Sequence, residues 1–361
     1  NAAHYYGTLG RGWLKWESHT EFVTYTLFMP GVSDEPFSGA NLSTFPADWL
    51  DNLGGRIISA ALVRIEQAAD REAAETAFYG RLAPHFAPES LATGFVADDE
   101  ALIASDFRLH EDGCARIAVI AAGTVDSSRL GRIVQRVIEI ESYKTFALTA
   151  LPVARATAGR VSELDRQLSA LTSDVAKGRG DPREVLEELT RLAAEVEQLA
   201  TDTAFRFGAS AAYAAIVEDR ITVLRAQRIR GRQLYSEFMK RRFDPAMRTC
   251  KAAERRLNAL SDRVARTSTL LSTRVDVALE AQNQTILARM DQRAEAQLRL
   301  QQTVEGLSVV AISYYALNLA TYLMYPLAKL ADINKTTMTA LLAPLVIGGV
   351  WLMVRRIRNH V

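Results

Sequence analysis

The chain has 361 residues, 48% of them hydrophobic and 24% charged, with a formal net charge of +1. Because this length exceeds what one hydrophobic core usually holds, we expect more than one folded part. Cys114 and Cys250 are the only cysteines. This excludes a disulfide scaffold and a cysteine-based zinc motif, and it suits a reducing compartment.

The near-zero net charge conceals an uneven distribution along the chain. Residues 1–150 contain 12 Lys and Arg against 20 Asp and Glu, a net of −8, whereas residues 151–361 contain 31 against 22, a net of +9. We therefore expect an acidic N-terminal part joined to a basic remainder. Since the sequence starts with Asn1 and not with Met, we expect the natural N-terminus to lie upstream.

The first 123 residues are predicted to form a mixed α/β domain. Aromatic and β-branched residues at 11–16 and 20–29 favour a β-hairpin. The run at 56–65 favours a strand but is also compatible with a buried helix. Asp112-Gly113 is a hairpin turn signal. The other predicted elements are strands at 91–96, 102–110 and 114–121 and helices at about 46–52 and 70–82.

The chain beyond Gly123 is predicted to be helical, with Ser127 as the first N-cap. Apolar heptads at 161–175 and 185–199 face each other across a turn in which Asp181-Pro182 supplies a cap and a first-turn proline, so these helices form an antiparallel hairpin. Further helices are expected at about 203–242 and, after the start signal Asp244-Pro245, from Ala246 to Glu305. The apolar stripe of the last helix becomes sparse beyond Leu279, which favours packing against identical chains.

Two C-terminal segments, Leu307–Tyr325 and Met338–Val354, contain no Asp, Glu, Lys or Arg. Since about 20 helical residues cross ~30 Å of hydrocarbon, both are predicted to span a lipid bilayer, the second only if its helix continues into the polar flanks. Pro326–Thr337 between them contains a helix-stopping proline and is expected to form a tight hairpin loop.

The charges that flank the two segments predict their orientation. Arg355, Arg356 and Arg358 follow the second segment directly, whereas the loop carries two lysines and one aspartate. By the positive-inside rule the C-terminus is expected in the cytoplasm, and the hairpin then places the N-terminal part there as well. The predicted organisation is a cytoplasmic α/β domain at 1–123, helical hairpins and a stalk helix at 124–305, a transmembrane hairpin at 306–354 and a basic cytoplasmic tail at 355–361.

This order of elements resembles that of CorA-type magnesium channels over nearly the whole chain. The resemblance implies a pentamer of identical chains in which the first span lines a pore. The Gly-Met-Asn signature at the end of that span in CorA channels does not occur, because here the span ends at Tyr325-Pro326 and Asn318 lies in its middle. The ion-selecting residues of that family are therefore not carried over.

Two stretches resemble a bacterial family of predicted membrane-anchored proteins of unknown function: WESHTEFVTYT at 16–26 and EGLSVVAISYYALNL at 305–319. This resemblance implies the inner membrane of a bacterium and supplies no catalytic residues. The sequence contains no Walker loop, HExxH or GxSxG motif, so no enzymatic activity is expected.

Four polar residues of the first span, Tyr314, Asn318, Thr321 and Tyr325, recur at steps of four, three and four and therefore share one helix face. Polar side chains in hydrocarbon need partners or water. Hydrogen bonding between helices is the favoured explanation, because such residues are common at helix interfaces in membranes. Lining of an ion pore is the alternative.

Three further groups of polar residues have a structural and a functional explanation. Acidic residues could bind Mg²⁺ or Ca²⁺ between neighbouring chains, although solvated loops are the favoured explanation. His19 and Glu21 share one strand face, and a cross-strand polar pair is favoured over a metal or acid–base site. Seven basic residues from Arg225 to Arg242 favour a solvated helix face or pairing with the acidic domain of a neighbouring chain over binding of nucleic acid or anionic lipid. The acidic residues are Asp98, Asp99, Glu100, Asp106, Glu111 and Asp112.

Together these features predict a membrane-anchored homo-oligomeric scaffold or sensor without enzymatic activity. Its expected partners are identical chains and the lipid bilayer, with no nucleic acid. No cofactor is expected apart from Mg²⁺ at the acidic residues. The alternative hypothesis is a CorA-like divalent cation channel with a divergent pore.

Overall fold

The structure, a computed structural model, consists of an α/β part followed by long helices, two of which carry long apolar stretches near the C-terminus. It describes residues 3–38, 44–46, 48–52, 54–177, 181–229, 231–330 and 334–358. Two compact units divide at Leu270 and Leu271. The predicted boundaries at residues 123, 305 and 354 stay predictions.

The secondary structure of the described residues comprises two sheets and a series of helices. The strands are β1 (His4–Leu9), β2 (Gly12–Ser18), β3 (Val23–Phe28), β4 (Ala61–Ala68), β5 (Ala92–Val96), β6 (Ala101–Leu109) and β7 (Ala115–Ala122). The α-helices are α1 (Trp49–Asn52), α2 (Arg71–Ala77), α3 (Ser127–Leu148), α4 (Ala150–Ala176), α5 (Pro182–Leu224), α6 (Tyr235–Leu330) and α7 (Lys335–Arg358).

The first sheet is an antiparallel meander of β1, β2 and β3 with β2 in the centre. The predicted hairpin of β2 and β3 is confirmed, with Trp13 opposite Phe28. Strand β1 is not predicted from the sequence, because Gly7 interrupts the short run from His4 to Leu9 and weakens its strand pattern. Phe22, in the turn between β2 and β3, stacks on Phe146 of α3 with 3.9 Å between ring centroids and so docks the meander on the helices.

The second sheet has the strand order β4-β7-β6-β5, in which β4 and β7 are parallel and the other neighbours antiparallel. The ambiguous run at 56–65 contributes its second half to β4, so the strand interpretation is confirmed there. The turn predicted at Asp112-Gly113 joins β6 to β7, and Gly113 has a φ of +74°. A glycine adopts this left-handed conformation without steric cost.

Both faces of this second sheet are covered by helices. On one face, α2 and the π-helical turn Phe78–Leu82 pack on Leu102 and Ile120. On the other face, α3, α5 and the first turns of α6 pack on Ile103 and Val119. Because successive strand residues point to opposite faces, burial of both faces produces continuous apolar runs in place of an alternation.

The outer edge of β5 is covered by the segment that joins α5 to α6. The Thr93 and Phe95 amides donate hydrogen bonds to the carbonyls of Gln233 and Gln227, both at 3.0 Å, and the Gln227 amide donates to the Phe95 carbonyl at 2.7 Å. An edge strand with free N–H groups invites pairing with other chains. The joining segment therefore covers this edge of the sheet.

The helical hairpin predicted between residues 161 and 199 is confirmed as α4 and α5. Arg160 of α4 pairs with Glu195 of α5. Asp181 caps α5 as predicted, since its side chain accepts a hydrogen bond from the Arg183 amide at 2.9 Å. The cap of α3 is Asp126, one residue before the predicted Ser127, because the longer reach of its carboxylate meets the Ser128 amide at 3.0 Å.

Helix boundaries after residue 199 differ from the prediction. No Pro occurs between residues 199 and 224 and the helix accommodates Gly208, so α5 continues to Leu224, where Arg225 ends it in the left-handed conformation at φ +46°. The start predicted at Asp244-Pro245 is wrong, because α6 begins at Tyr235 and continues through it. Met239 and Phe243, in the two turns before Pro245, are buried, and their packing offsets the cost of the proline in the helix.

The second unit consists of the end of α6 and α7. α7 extends into the polar flanks on both sides of its apolar segment, which gives it the length that a span requires. Pro326 does not end its helix, since α6 continues to Leu330. Breaking the helix at Pro326 would leave several backbone groups without partners, which costs more than the single hydrogen bond that proline removes. The loop between α6 and α7 is therefore shorter than the predicted Pro326–Thr337, and Asn334 is its one described residue.

Candidate functional site

Two stretches of the second unit, near the end of α6 and in α7, have an apolar surface. Of the described helices, two contain stretches long and apolar enough to cross a membrane, with mean hydropathies of 1.4 in α6 and 1.9 in α7. Leu323 in α6 and Leu345 in α7 are both 74% exposed. Soluble proteins rarely expose contiguous apolar surface on this scale. By length, composition and exposure, both helices have the properties of lipid-facing spans.

The four polar residues predicted to share a face of the first span lie in two different settings. Thr321 is buried, and its hydroxyl donates to the Leu317 carbonyl at 2.7 Å. Tyr314, Asn318 and Tyr325 are exposed in the single chain. Among the described residues, the Asn318 side-chain amide has no hydrogen-bond partner, so this polar face is available for contacts beyond one chain.

Aromatic and basic side chains meet at both ends of α7. The Arg355 guanidinium lies 5.0 Å from the Trp351 ring centroid, and the Lys335 ammonium lies 5.7 Å from that of Tyr322. Arg356 is exposed in the same C-terminal turn as Arg355, where positive charge is favourable for the helix dipole. Arg358 ends α7, and its side chain lies outside the described part of the structure.

Five of the six acidic residues expected to bind Mg²⁺, all except Glu111, contact basic side chains within the described part of the single chain. Asp98 pairs with Arg225 and Asp99 with Arg71, both at 2.7 Å. In the described ranges, no group of three or more His, Cys, Asp or Glu side chains could hold a metal ion. A site formed between neighbouring chains stays a prediction. The remaining pairs are Glu100 with Arg129, Asp106 with His110 and Asp112 with Arg116.

His19 and Glu21 lie in the turn between β2 and β3 and do not pair with each other. The Glu21 carboxylate instead accepts hydrogen bonds from both terminal nitrogens of Arg206 in α5, the longer at 3.1 Å. Burial raises the pKa of Glu21, but the hydrogen bonds from Arg206 and Tyr213 outweigh it and hold that pKa below its usual value. Burial and the bond to Glu21 raise the pKa of Tyr213 to about 12. This cluster fastens the meander to α5.

Part of the basic run between residues 225 and 242 is used by the fold. Arg228 pairs with Glu237, and the Arg232 guanidinium lies 4.6 Å from the ring centroid of Tyr79. Together with the Asp98 pair of Arg225, these contacts fasten the segment that covers β5. They give these three arginines a structural role.

A groove of about 320 Å³ lies between α5 and the first turns of α6. Its lining is apolar at the centre and carries Lys240, Asp244 and Glu254. The Cys250 thiol lines it, but burial raises the pKa of this thiol, which keeps it protonated and weakly nucleophilic. The groove therefore has no chemical feature of a catalytic site.

The whole chain, residues 1–361, matches the model of one protein family. The chain belongs to the family described as Protein of unknown function (DUF3422). No curated protein and no solved structure matches it. Nothing in the match links this DUF3422 chain to CorA channels or to a membrane-anchored family. The family assignment leaves function to be argued from the residues.

A second cavity of this DUF3422 chain, about 210 Å³ in volume, was not predicted from its sequence. It lies beside β6, and its polar lining comes from the loop before β5, from β6, from α3 and from α6. No motif connects residues so far apart in the chain, and only Asp106 and Arg242 belong to groups that the sequence singled out. The polar lining residues are Ser90, Asp106, Arg108, Lys144 and Arg242.

Proposed function

We propose that the protein is a membrane-anchored homo-oligomeric scaffold or sensor of CorA-like layout, without enzymatic activity, held in the bilayer by α7 and the end of α6. The observation that carries this proposal is the burial pattern in the apolar stretches of α6 and α7, where large apolar side chains are exposed and small polar ones are buried. Leu323 and Leu345 point outward, whereas Ser313 and Thr321 are buried. Helices in lipid have this arrangement, because hydrocarbon accepts leucine and small polar residues pack between helices.

The basic C-terminal end of α7 supports an orientation with the α/β part and the C-terminus in the cytoplasm. Arg355 and Arg356 follow the apolar stretch directly, and Trp351 beside Arg355 is suited to the bilayer interface. The resemblance to bacterial membrane-anchored proteins makes the inner membrane the proposed location. A C-terminal reporter that is active only outside the cytoplasm should stay inactive, and an active reporter would contradict this orientation.

The exposed polar face of α6 supports assembly of identical chains. A side-chain amide such as that of Asn318 is costly in hydrocarbon unless it is hydrogen-bonded. Tyr314 and Tyr325 lie on the same face and can contribute hydroxyl groups to a neighbouring helix. Hydrogen bonds between membrane helices contribute roughly 0.6–2 kcal/mol each, so a ring of chains would gain from several of them.

A matched pair of substitutions in α6 tests the membrane anchor. Leu323 is 74% exposed and Leu270 is 71% exposed, but only Leu323 lies in an apolar stretch. We expect Leu323→Arg to disfavour insertion, by less than the roughly 2.5–3.5 kcal/mol of an arginine at the centre of a span because Leu323 lies near its end, and to lower the membrane fraction that resists alkaline carbonate. Leu270→Arg should leave this fraction unchanged. Complete extraction of the unaltered protein by carbonate would overturn the proposal.

A CorA-like divalent cation channel with a divergent pore is the second candidate, favoured by the same exposed face of Tyr314, Asn318 and Tyr325. Asn318→Leu separates the two candidates. If the amide joins helices, the variant should dissociate at lower detergent concentration while liposomes show no Mg²⁺ flux. If it lines a pore, the unaltered protein should conduct and the variant should change the flux. Leu319→Ile, next to Asn318, serves as the control.

A further inference from the structure

We infer that the 210 Å³ cavity beside β6 binds a small organic oxyanion. Arg242, Arg108 and the Ser90 hydroxyl would hold its carboxylate or phosphate group, and its apolar body would lie against Phe107 and Phe238. The inference rests on the proposed function in that the bound anion would be the signal of the sensor. Four features of the cavity carry it.

The first feature is a bulge in β6 that is held in an unusual backbone conformation. Pairing of β6 with β7 shifts register between Ser105 and Leu109, and Phe107 has a φ of +55°. Bulky residues rarely adopt this left-handed conformation, which persists where surrounding structure enforces it and is frequent at binding sites. Bulges also redirect side chains beside such sites.

Asp106 enforces this conformation from inside the fold. Its carboxylate has no exposed surface and accepts hydrogen bonds from the amides of Ala87 at 2.9 Å and Arg108 at 3.2 Å. The Nε2 atom of His110 lies 2.9 Å from the same carboxylate. These three groups satisfy the hydrogen-bonding capacity of Asp106, and its single negative charge at the cavity is exceeded by the positive charges of Arg108 and Arg242.

The second feature is an apolar wall. The bulge stacks Phe107 on Phe238 of α6, with 4.9 Å between ring centroids and 14° between ring planes. Leu148 and Met239 continue this wall. Ligand pockets are mostly apolar with a few placed polar groups, and drug-sized ligands occupy about 300–1,000 Å³. A cavity of about 210 Å³ therefore fits a smaller molecule that has an apolar part.

The third feature is positive charge without a full complement of partners. Lys144 is neutralised by the buried Glu141 carboxylate at 2.6 Å. Among the described residues, Arg108 contacts one acidic side chain, the exposed Glu89 at 4.0 Å, and Arg242 forms no ion pair. Arginine binds carboxylate and phosphate groups through two parallel hydrogen bonds. The two arginines thus select an anion.

The fourth feature is an unsatisfied hydroxyl. Ser90 is 2% exposed, it lines the cavity, and within the described part of the chain its Oγ atom has no hydrogen-bond partner. Buried hydroxyl groups in proteins are normally hydrogen-bonded. An oxygen of a bound oxyanion would accept the hydrogen bond that Ser90 has available, so the polar group of the ligand is expected at this end of the cavity.

Calorimetry on the full chain in a neutral maltoside detergent tests the inference, with phenyl phosphate, inorganic phosphate and benzyl alcohol as probes. We expect phenyl phosphate to bind more tightly than either of the others, because only it offers both an oxyanion and an apolar body. Absence of phenyl phosphate binding by the folded protein would overturn the inference. Binding is measured in detergent, so this failure would leave the carbonate test of the membrane anchor unaffected.

Two neighbouring arginines supply a matched control. The guanidinium groups of Arg242 and Arg241 lie 5.3 and 5.6 Å from the Phe238 ring centroid, but only Arg242 lines the cavity. Loss of a hydrogen bond to a charged group should make Arg242→Gln bind phenyl phosphate about 10-fold to 100-fold more weakly. Arg241→Gln should keep the original affinity. Equal effects of the two substitutions would contradict the proposed site.

Ser90→Ala separates a binding role from a structural one. The alanine removes an unsatisfied hydroxyl, so the thermal midpoint without ligand should not fall. Affinity for phenyl phosphate should fall about fivefold, since one neutral hydrogen bond to the ligand is lost. Unchanged affinity in a folded Ser90→Ala protein would remove the serine from the site and contradict the proposed orientation of the ligand.

Discussion

In the first unit, the sheet residues Ile103 and Val119 have no exposed surface, whereas Leu319 and Leu323 in the second unit are 68% and 74% exposed. The helix α6 contributes to both units, and its buried side chains change from large and aromatic to small and polar along its length. In its first turns it buries Phe238 and Phe243, and near its end it buries Ser313 and Thr321.

The buried polar groups of the two units also differ in whether they have partners. In the first unit, the buried Glu66 carboxylate lies between Arg64, at 2.6 Å, and Arg81. In the second unit, the buried Ser313 hydroxyl has no hydrogen-bond partner among the described residues. The contrast teaches that the first unit buries apolar and paired side chains, as proteins in water do, whereas the apolar stretches of α6 and α7 expose leucine, the arrangement expected of helices in hydrocarbon.

The largest expected effect comes from shortening apolar side chains in each unit. Ile103→Ala should lower the free energy of unfolding by about 2–5 kcal/mol, because it leaves a cavity between the sheet and α3. Leu319→Ala should change it by less than about 0.5 kcal/mol, since lipid or detergent fills the space. Thermal unfolding in detergent measures both. An equally large loss for Leu319→Ala would show that Leu319 packs against protein and would break the contrast.

A medium effect is expected from the ion pair that fastens the meander. Glu21→Gln should cost about 1.5–3 kcal/mol at neutral pH, the usual value of hydrogen bonds to a charged group. The folded protein holds the pKa of Glu21 below its ordinary value of 4.5. The stabilisation that the Glu21 carboxylate contributes is therefore complete above pH 4.5, and it is lost as the pH falls through the lowered pKa of Glu21.

The free energy of unfolding, measured as a function of pH, tests this predicted loss of stability in acid. The unaltered protein should lose stability below pH 4.5 more steeply than Glu21→Gln, since the variant has no carboxylate to protonate at this site. His19→Gln, a change in the same turn, is the control and should keep the steep acid dependence. Parallel pH curves for the unaltered protein and Glu21→Gln would contradict a stabilising role for this carboxylate.

The smallest effect distinguishes buried serines of the two units. The Ser210 hydroxyl donates to the Ala147 carbonyl at 2.8 Å, so Ser210→Ala should cost about 1 kcal/mol in thermal unfolding. Ser313→Ala should leave unfolding of the single chain unchanged, because its hydroxyl is unsatisfied there. If Ser313→Ala instead weakens self-association, this hydroxyl bonds between chains, and cross-linking in detergent measures that.

Local signals in the sequence predicted those elements whose cause is local. Asp181 and Asp112-Gly113 fix a helix start and a hairpin turn through their own backbone geometry, and both are confirmed. The charge-free segments likewise predicted two apolar helices. Each of these features depends on residues close together in the chain.

Features that depend on tertiary contacts were not predictable in this way. Pro245 and Pro326 indicated helix boundaries, but α6 continues through both, at Pro245 because buried residues of the preceding turns hold the helix. Gly7 weakens the strand pattern of β1, and this strand forms because it pairs with the edge of β2. For the candidate cavity, Ser90 gave no signal at all, because its significance arises only where four distant segments converge.

Coverage of β5 by Gln227 and Gln233 has a consequence for biogenesis. A ribosome releases the N-terminal residues first, at roughly 5–20 residues per second, so β5 is complete several seconds before the stretch that caps its edge exists. During that interval a nascent sheet exposes free amides to neighbouring polypeptides. The cap is translated before Leu307, so this vulnerable period ends ahead of the first hydrophobic segment that a translocon would have to recognise.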